Sequence, residues 1–164
     1  MSINLADKST QTPFIWGIYY SKGNKSFSPT GPNGFGDTLL LERAYQDIYA
    51  SLSTIQFVQK SSSSRSGDSF LQQLRFQFPN GDKQMGSRIQ EILQTRYMIM
   101  KLTNGEFMII GRNDIDQNTR QKITTESNTR TTQITFECVS IFPAGRFNDL
   151  SGKLLPDFVP LSFM

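Results

Sequence analysis

Alternating apolar and polar positions recur along the chain and predict β-strands. The clearest case is FLQQLRFQF, residues 70–78, in which Gln73, Arg75 and Gln77 face away from the apolar side chains of Phe70, Leu74, Phe76 and Phe78. The same period of two predicts strands over residues 13–21, 54–60 and 132–142. Each strand would bury one face: Phe14, Trp16, Ile18 and Tyr20; Phe70, Leu74, Phe76 and Phe78; Ile134, Phe136, Cys138 and Phe142.

Two other stretches have apolar residues at helical spacing and predict amphipathic α-helices. Residues 38–53 place on one stripe Leu41, Ala44, Tyr45, Ile48 and Leu52. Residues 85–95 place on one stripe Met85, Ile89, Ile92 and Leu93. We expect both helices to pack on a sheet through these stripes.

The stretch RYMIMKLTNGEFMIIG, residues 96–111, predicts a β-hairpin that turns at Asn104-Gly105. A two-residue loop would put on one face the pairs Leu102–Phe107, Met100–Ile109 and Met98–Gly111. The other face would then carry Tyr97, Ile99, Lys101, Met108 and Ile110. Both faces are apolar, so the second is covered either by another layer of this chain or by a neighbouring subunit.

The segments between these elements are polar and predict turns and long connections. Gly, Pro and Asn mark residues 22–37 as a long loop, and the serine-rich residues 61–69 are expected to form the flexible tip of a hairpin between strands 54–60 and 70–78. Residues 112–121 read as a polar connection, followed by a threonine-rich exposed hairpin or arm over 122–132.

The order of the elements predicts an α+β fold, with a mainly antiparallel sheet that forms a sandwich or partial barrel and one or two short helices packed on it. The 164 residues suit a single domain, 1–164, with extended arms at 1–12 and 150–164.

Composition removes most catalytic chemistry. The chain has no histidine and one cysteine, so Ser/His/Asp and Cys/His arrangements are excluded. Cys138 is expected to be a core residue, and Asp114 and Asp116 a solvated loop pair without further metal ligands nearby. We therefore predict no catalytic residue, no metal site and no cofactor, and a protein that is not an enzyme.

No membrane partner is expected, because no apolar run approaches the length of a membrane span. Residues 1–12 lack the basic and apolar pattern of a secretion signal, so we expect synthesis in the cytoplasm.

The segment LLPDFVPLSFM, residues 154–164, is rich in apolar residues, although no helix or strand is predicted there. An apolar segment of this kind is seldom left in water, so it folds back on its own domain or docks on another subunit. The predicted interface residues are Phe158, Val159, Leu161 and Phe163, with Met108 and Ile110 from the second face of the hairpin.

Residues 66–114 combine a strand ending in Pro-Asn, a short helix and a strand–NG–strand hairpin, and a threonine-rich connection and the strand QITFECVSIFPA follow them. In this order of motifs, residues 54–146 resemble small structural proteins of tailed bacteriophages, in particular those of Bacteroidetes and crAss-like phages. The resemblance implies a virion protein of the neck or tail: a head-to-tail connector, tail terminator or tail ring.

Such a protein would form a cyclic homo-oligomer around the channel that passes DNA, and we expect six- or twelvefold symmetry. It would also contact neighbouring neck or tail proteins. Non-specific contact with that DNA would suit the net charge of +3. The alternative is a small β-rich nucleic-acid-binding module, which would need basic and aromatic residues together on one sheet face.

Overall fold

The computed structural model describes residues 13–21, 26–27, 40–41, 46–111, 120–141 and 143–147. This part of the chain forms antiparallel sheets and one α-helix, which confirms the predicted β-rich α+β class. The elements are β1 (Ile15–Ser21), β2 (Ser26–Phe27), β3 (Leu40–Leu41), β4 (Gln46–Ile48), a 3-10 helix (Leu52–Thr54), β5 (Gln56–Ser64), β6 (Gly67–Pro79), α1 (Met85–Leu93), β7 (Tyr97–Leu102), β8 (Phe107–Ile110), β9 (Lys122–Ser127), β10 (Thr131–Ser140) and β11 (Gly145–Phe147).

A four-stranded sheet, in the order β5-β6-β10-β9, forms one layer of the molecule. Its two central strands pair over ten residues, from Thr131 opposite Pro79 to Ser140 opposite Phe70. The alternation predicted for both strands is present. Every second residue is buried from Gln72 to Phe78 in β6 and from Thr132 to Ser140 in β10, and these residues form the inner face of the sheet. This face contributes to the core Leu74, Phe76, Phe78, Ile134, Phe136 and Cys138.

A five-stranded sheet, in the order β11-β8-β7-β1-β4, forms the other layer. Its inner face packs against the first sheet in one hydrophobic cluster, to which it contributes Ile18, Tyr20, Ile48, Met98, Met100 and Ile110. The fold is therefore an antiparallel β-sandwich. A separate two-stranded ladder joins β2 to β3.

Helix α1 lies over the core near one end of the sandwich, where the spacing of residues 85–95 predicted it. Ile92 is fully buried, and Met85 and Ile89 pack against the core as expected. Leu93, the fourth residue of the predicted stripe, is exposed because the helix ends there. Arg88 is held by an ion pair with Asp82 and lies over the Phe78 ring.

The helix predicted over residues 38–53 is wrong. Residues 46–48 form β4, an edge strand that pairs with β1 and sets Ile48 opposite Ile18 in the core. Leu52 begins a single 3-10 turn and is exposed. The apolar spacing fitted a helix, but pairing with β1 satisfies the backbone and buries Ile48, so tertiary context overrides the local pattern.

The hairpin of β7 and β8 forms, but in a register one residue away from the prediction. Lys101 pairs with Phe107 and Met100 with Met108, because the loop is Thr103-Asn104-Gly105 and not Asn104-Gly105 alone. Gly105 has a φ of 87°, as a three-residue loop with a left-handed residue requires. A slip of one residue moves every β8 side chain to the opposite face.

Both faces of this hairpin are buried within the single chain. Met98, Met100 and Ile110 face the shared core, while on the other face Tyr97, Ile99 and Ile109 have almost no exposed surface. The sequence left open whether the second face is covered by this chain or by a neighbouring subunit. In the structure its residues are buried without a neighbouring subunit.

Strand β1 contains a bulge that changes the predicted faces. Ile15 lies opposite Leu102 and Gly17 opposite Lys101, which leaves Trp16 as the extra residue. Ile15 packs against the core in its place. Phe14 and Trp16, both predicted to point inward, are 66% and 48% exposed.

The serine-rich stretch is not a loop. Strand β5 continues to Ser64 and β6 begins at Gly67, so the predicted hairpin is confirmed but its loop is only Arg65-Ser66. The threonine-rich stretch likewise forms a regular hairpin, in which β9 pairs with β10 from Lys122 to Ser127. The predicted loop 22–37, the connection 112–121 and the arms 1–12 and 150–164 lie wholly or largely outside the described residues.

Candidate functional site

A two-stranded hairpin arm extends from the four-stranded sheet. Strand β10 pairs with β6 only as far as Phe70, whereas β5 follows β6 through three further pairs, from Ser62–Ser69 to Ser64–Gly67. We call residues 61–69 the hairpin arm. Its side chains from Ser61 to Asp68 are exposed on both faces, so no part of the described core supports it.

Local hydrogen bonds hold the end of the arm. The Ser64 hydroxyl donates to the carbonyl oxygen of Gly67 (3.1 Å) and accepts from the backbone N–H of Ser66 (3.2 Å). Gly67 has a φ of 116°, a conformation that side chains with a Cβ rarely adopt. The Ser64 hydroxyl and Gly67 therefore stabilise a tight turn at Arg65-Ser66. For this reason the serine-rich sequence forms a regular hairpin and not an irregular loop.

The four-stranded sheet has two edges, β5 and β9. An edge strand presents backbone N–H and C=O groups that can pair with another strand, and proteins usually block such edges with proline, bulges or charge. Strand β5 runs for nine residues in unbroken register, contains no proline and has Lys60 as its one charged residue. It is the longest edge strand in the described part of the chain.

The outer face of this sheet is mostly polar, with Val58, Leu71 and Val139 as its apolar residues. Gln73 donates to Glu137 (3.2 Å) and Gln77 to Gln133 (3.0 Å), so amide and carboxylate side chains join β6 to β10 across the surface. Arg75 and Lys122 share the face with Glu126 and Glu137, according to the strand registers. No described residue of the face is aromatic, so it lacks the stacking surface that a β-rich nucleic-acid module uses.

An apolar groove opens between the two sheets, at the end of the sandwich where β7 turns into β8. Its volume is about 580 Å³, and side chains that line it include Phe14, Ile15, Leu52, Ile55, Phe57 and Met108. Leu52 is 56% exposed, and Phe14 is more exposed still. On the outer face of the same end, the Lys101 ammonium lies 4.7 Å from the Trp16 ring centre. This end therefore carries exposed apolar surface with defined geometry.

A second cleft, of about 520 Å³, lies between β4 and α1 and has mainly polar walls. On one wall the Tyr20 hydroxyl lies 2.6 Å from the side-chain oxygen of Gln46 and 2.7 Å from Glu91 Oε2. Burial, together with the hydrogen bond and the charge of Glu91, raises the pKa of Tyr20 to about 12. Tyr20 therefore keeps its proton at neutral pH and links β1 to β4 and α1.

Cys138 is a core residue, as its position on the inner face of β10 predicted. Its thiol lies 3.5 Å from Gln72 Oε1, and the Gln72 amide in turn lies 3.3 Å from Gln59 Oε1, which also accepts from the backbone N–H of Ala144 (2.8 Å). Burial raises the pKa of the Cys138 thiol to about 11, so it is not a thiolate at neutral pH.

Of the six predicted interface residues, the structure describes two, Met108 and Ile110. Ile110 is completely buried and Met108 packs against the core, both on the face opposite to the one predicted. The reason for assigning them to an interface is thereby removed, although Met108 does line the groove. Phe158, Val159, Leu161 and Phe163 lie outside the described residues, as do Asp114 and Asp116.

Sequence reasoning missed the hairpin arm and the groove. The sequence did contain a signal for the arm. Four serines, residues 61–64, are followed by Arg65-Ser66 and then Gly67, a spacing that suits two paired strands joined by a two-residue turn. The groove had none, because its walls come from β1, β5, β8 and the 3-10 turn, which only the fold brings together.

The described residues contain no cluster of acidic or cysteine side chains suited to a metal ion. Within the same part of the chain, no helix has the length and apolar character needed to cross a membrane. Comparison with protein-family models, with characterised proteins and with solved structures finds no match to the chain.

Proposed function

We propose that the protein is a structural subunit of a cyclic ring in the neck or tail of a tailed bacteriophage, around the channel that passes DNA. The observation that carries this proposal is the four-stranded sheet, whose two edges pair with no other strand among the described residues and one of which extends into the exposed hairpin arm. These features serve contacts between subunits and have no evident use in an isolated domain.

The two edges are different surfaces, which suits a ring. A cyclic contact is heterologous: one patch of a subunit meets a different patch of the next, and the ring closes when the rotation between subunits divides a full turn. Strand β5 with its arm would lie against the β9 side of the neighbouring subunit. Backbone pairing of this kind gives affinity without large apolar patches, in keeping with the polar outer face.

The phage assignment rests on the resemblance of residues 66–114. Strand β6, helix α1 and the β7–β8 hairpin follow one another in the order that the resemblance implies, with β6 ending at Pro79. A polar surface whose basic residues are balanced by acidic ones also suits a channel wall along which DNA must slide without tight binding.

Rings can be tested directly on the purified full-length chain. Mass photometry and negative-stain electron microscopy over a range of concentrations should show a closed species of six or twelve subunits. A chain that stays monomeric even at the highest concentration, both alone and with its neck or tail neighbours, contradicts the proposal. Mass spectrometry of purified phage particles checks the virion assignment.

A matched pair of variants tests which surface forms the contact. Val58 on the β5 edge and Val139 on β10 are 44% and 45% exposed on the same outer face. Val58→Glu puts a charge at the proposed contact and should lower the ring fraction at least tenfold, while Val139→Glu should leave it within about twofold. Equal effects of the two substitutions would rule out the β5 edge as the contact.

A further inference from the structure

The apolar groove is a built surface and not a frayed end. Phe14 is fixed to the β7–β8 loop on both sides, because its N–H donates to Thr103 Oγ1 (3.2 Å) and its carbonyl accepts from the Thr103 N–H (3.0 Å). Before Leu52, the N–H of Ser51 donates to the carbonyl oxygen of Gln77 (2.9 Å), and Thr54 closes the 3-10 turn onto Ser51 (2.6 Å). Backbone hydrogen bonds thus hold two large apolar side chains toward water.

The last described residues of the chain, Pro143 to Phe147, lie beside this groove. Ala144 lines the groove, and β11 then runs antiparallel to β8, from Gly145 opposite Ile109 to Phe147 opposite Phe107. The chain therefore leaves the sheet at the end where the groove opens. Residues 148–157 can span at most about 35 Å, enough to reach an adjacent subunit.

The composition of residues 158–164 matches the groove. FVPLSFM has five apolar residues besides its proline and no charge. Pro160 lacks a backbone N–H and favours an extended conformation, so the segment is better suited to inserting side chains into a groove than to adding a strand to a sheet. Nine of the ten residues that line the groove are apolar, the exception being Gln59, so its side chains can receive those of the segment while its exposed polar groups remain available for hydrogen bonds.

We propose that residues 158–164 of one copy occupy the apolar groove of a neighbouring copy. The neighbouring copy is the partner in this proposal, because a ring needs contacts between copies and because Phe14 and Leu52 offer apolar surface that is 66% and 56% exposed. Segment and groove are different surfaces, so the contact is heterologous and repeats around a ring. This inference rests on the proposed function and names a second contact in the same assembly.

Cysteine pairs in the full-length chain can test this contact, since Cys138 is the one native cysteine and is buried. Leu52→Cys and Leu161→Cys are combined, and equal amounts of ¹⁴N- and ¹⁵N-labelled protein are mixed, dissociated, reassembled and mildly oxidised. The expected product is a ladder of disulfide-linked oligomers, with mixed-isotope peptides that join position 52 to position 161. Val139→Cys with Leu161→Cys is the control, since Val139 has similar exposure but lies on the outer face of the four-stranded sheet and does not line the groove.

The outcomes separate this inference from the ring itself. Linkage at least fivefold above the control, between isotopes, supports it. Linkage within one isotope only shows that the segment covers its own groove and overturns it. Rings that form without linkage also overturn it but leave the proposed function standing, whereas a protein that forms neither rings nor linkage refutes both.

Discussion

At the scale of single residues, Gly111 shows the tightest constraint. It follows β8 with a φ of 89°, and a Cβ there would collide with the carbonyl oxygen of Arg96 and lie 3.0 Å from the Phe136 ring. Gly111→Ala should lower the free energy of unfolding by about 2 to 4 kcal/mol, from backbone strain and overpacking together. Urea denaturation followed by circular dichroism measures the change.

Gly86→Ala is the matched control for that substitution. Gly86 lies in α1, where an added Cβ meets no atom within 4 Å. Alanine should there raise stability by up to about 1 kcal/mol, through its better helix propensity. Similar losses at both positions would mean that Gly111 is not constrained by its conformation and packing.

Tyr20 makes stability depend on pH in the alkaline range. Its folded pKa of about 12 lies above the ordinary value of 10.0, so the folded state keeps a proton that the unfolded state loses. The stabilisation is complete below pH 10.0 and falls as the pH rises toward about 12. Tyrosinate absorbance should show a late ionisation step that Glu91→Gln moves to lower pH and Tyr20→Phe removes.

Substitution of the exposed Tyr49 by Phe, on the edge of the same cleft, should leave this late step in place. A late step that survives Tyr20→Phe would assign the raised pKa to another tyrosine.

At the scale of elements, the hairpin of β5 and β6 has two regions of different support. Phe57 and Leu74 pair above the core, whereas the hairpin arm has exposed side chains and, beyond Phe70, no third strand. Hydrogen exchange of the isolated subunit should show backbone protection falling sharply beyond the Lys60–Leu71 pair. Assembly into rings should restore protection in the arm, and equal protection of the arm in both states would mean that no subunit covers it.

The elements also show where local pattern suffices and where it fails. Strand β6, strand β10 and helix α1 were predictable because one face of each packs on the core and the period appears directly in the sequence. Strand β4 was not, since three residues at a sheet edge carry too little pattern to outweigh an apolar stripe at helical spacing. The shifted register of β7 and β8 depends on a single loop residue, Thr103.

At the scale of the whole molecule, the sequence predicted the class of fold but little of the candidate site. Alternation and turn residues indicate an antiparallel fold, because they report which face of each strand is buried. They do not report which strands become edges or where walls from distant segments meet. The β5 edge, which pairs with β6 alone among the described strands, and the groove beside Leu52 are both consequences of strand order, and strand order comes from packing between segments far apart in sequence.

The hairpin arm has a consequence for how chains with this fold can differ in length. Its three pairs beyond Phe70 give it a length of roughly 10 Å. Because side chains alternate along both strands, adding one residue pair turns the arm's tip over, while adding two lengthens it with the same faces presented. The arm is thus a spacer adjustable in steps of about 7 Å, free to change without altering the core.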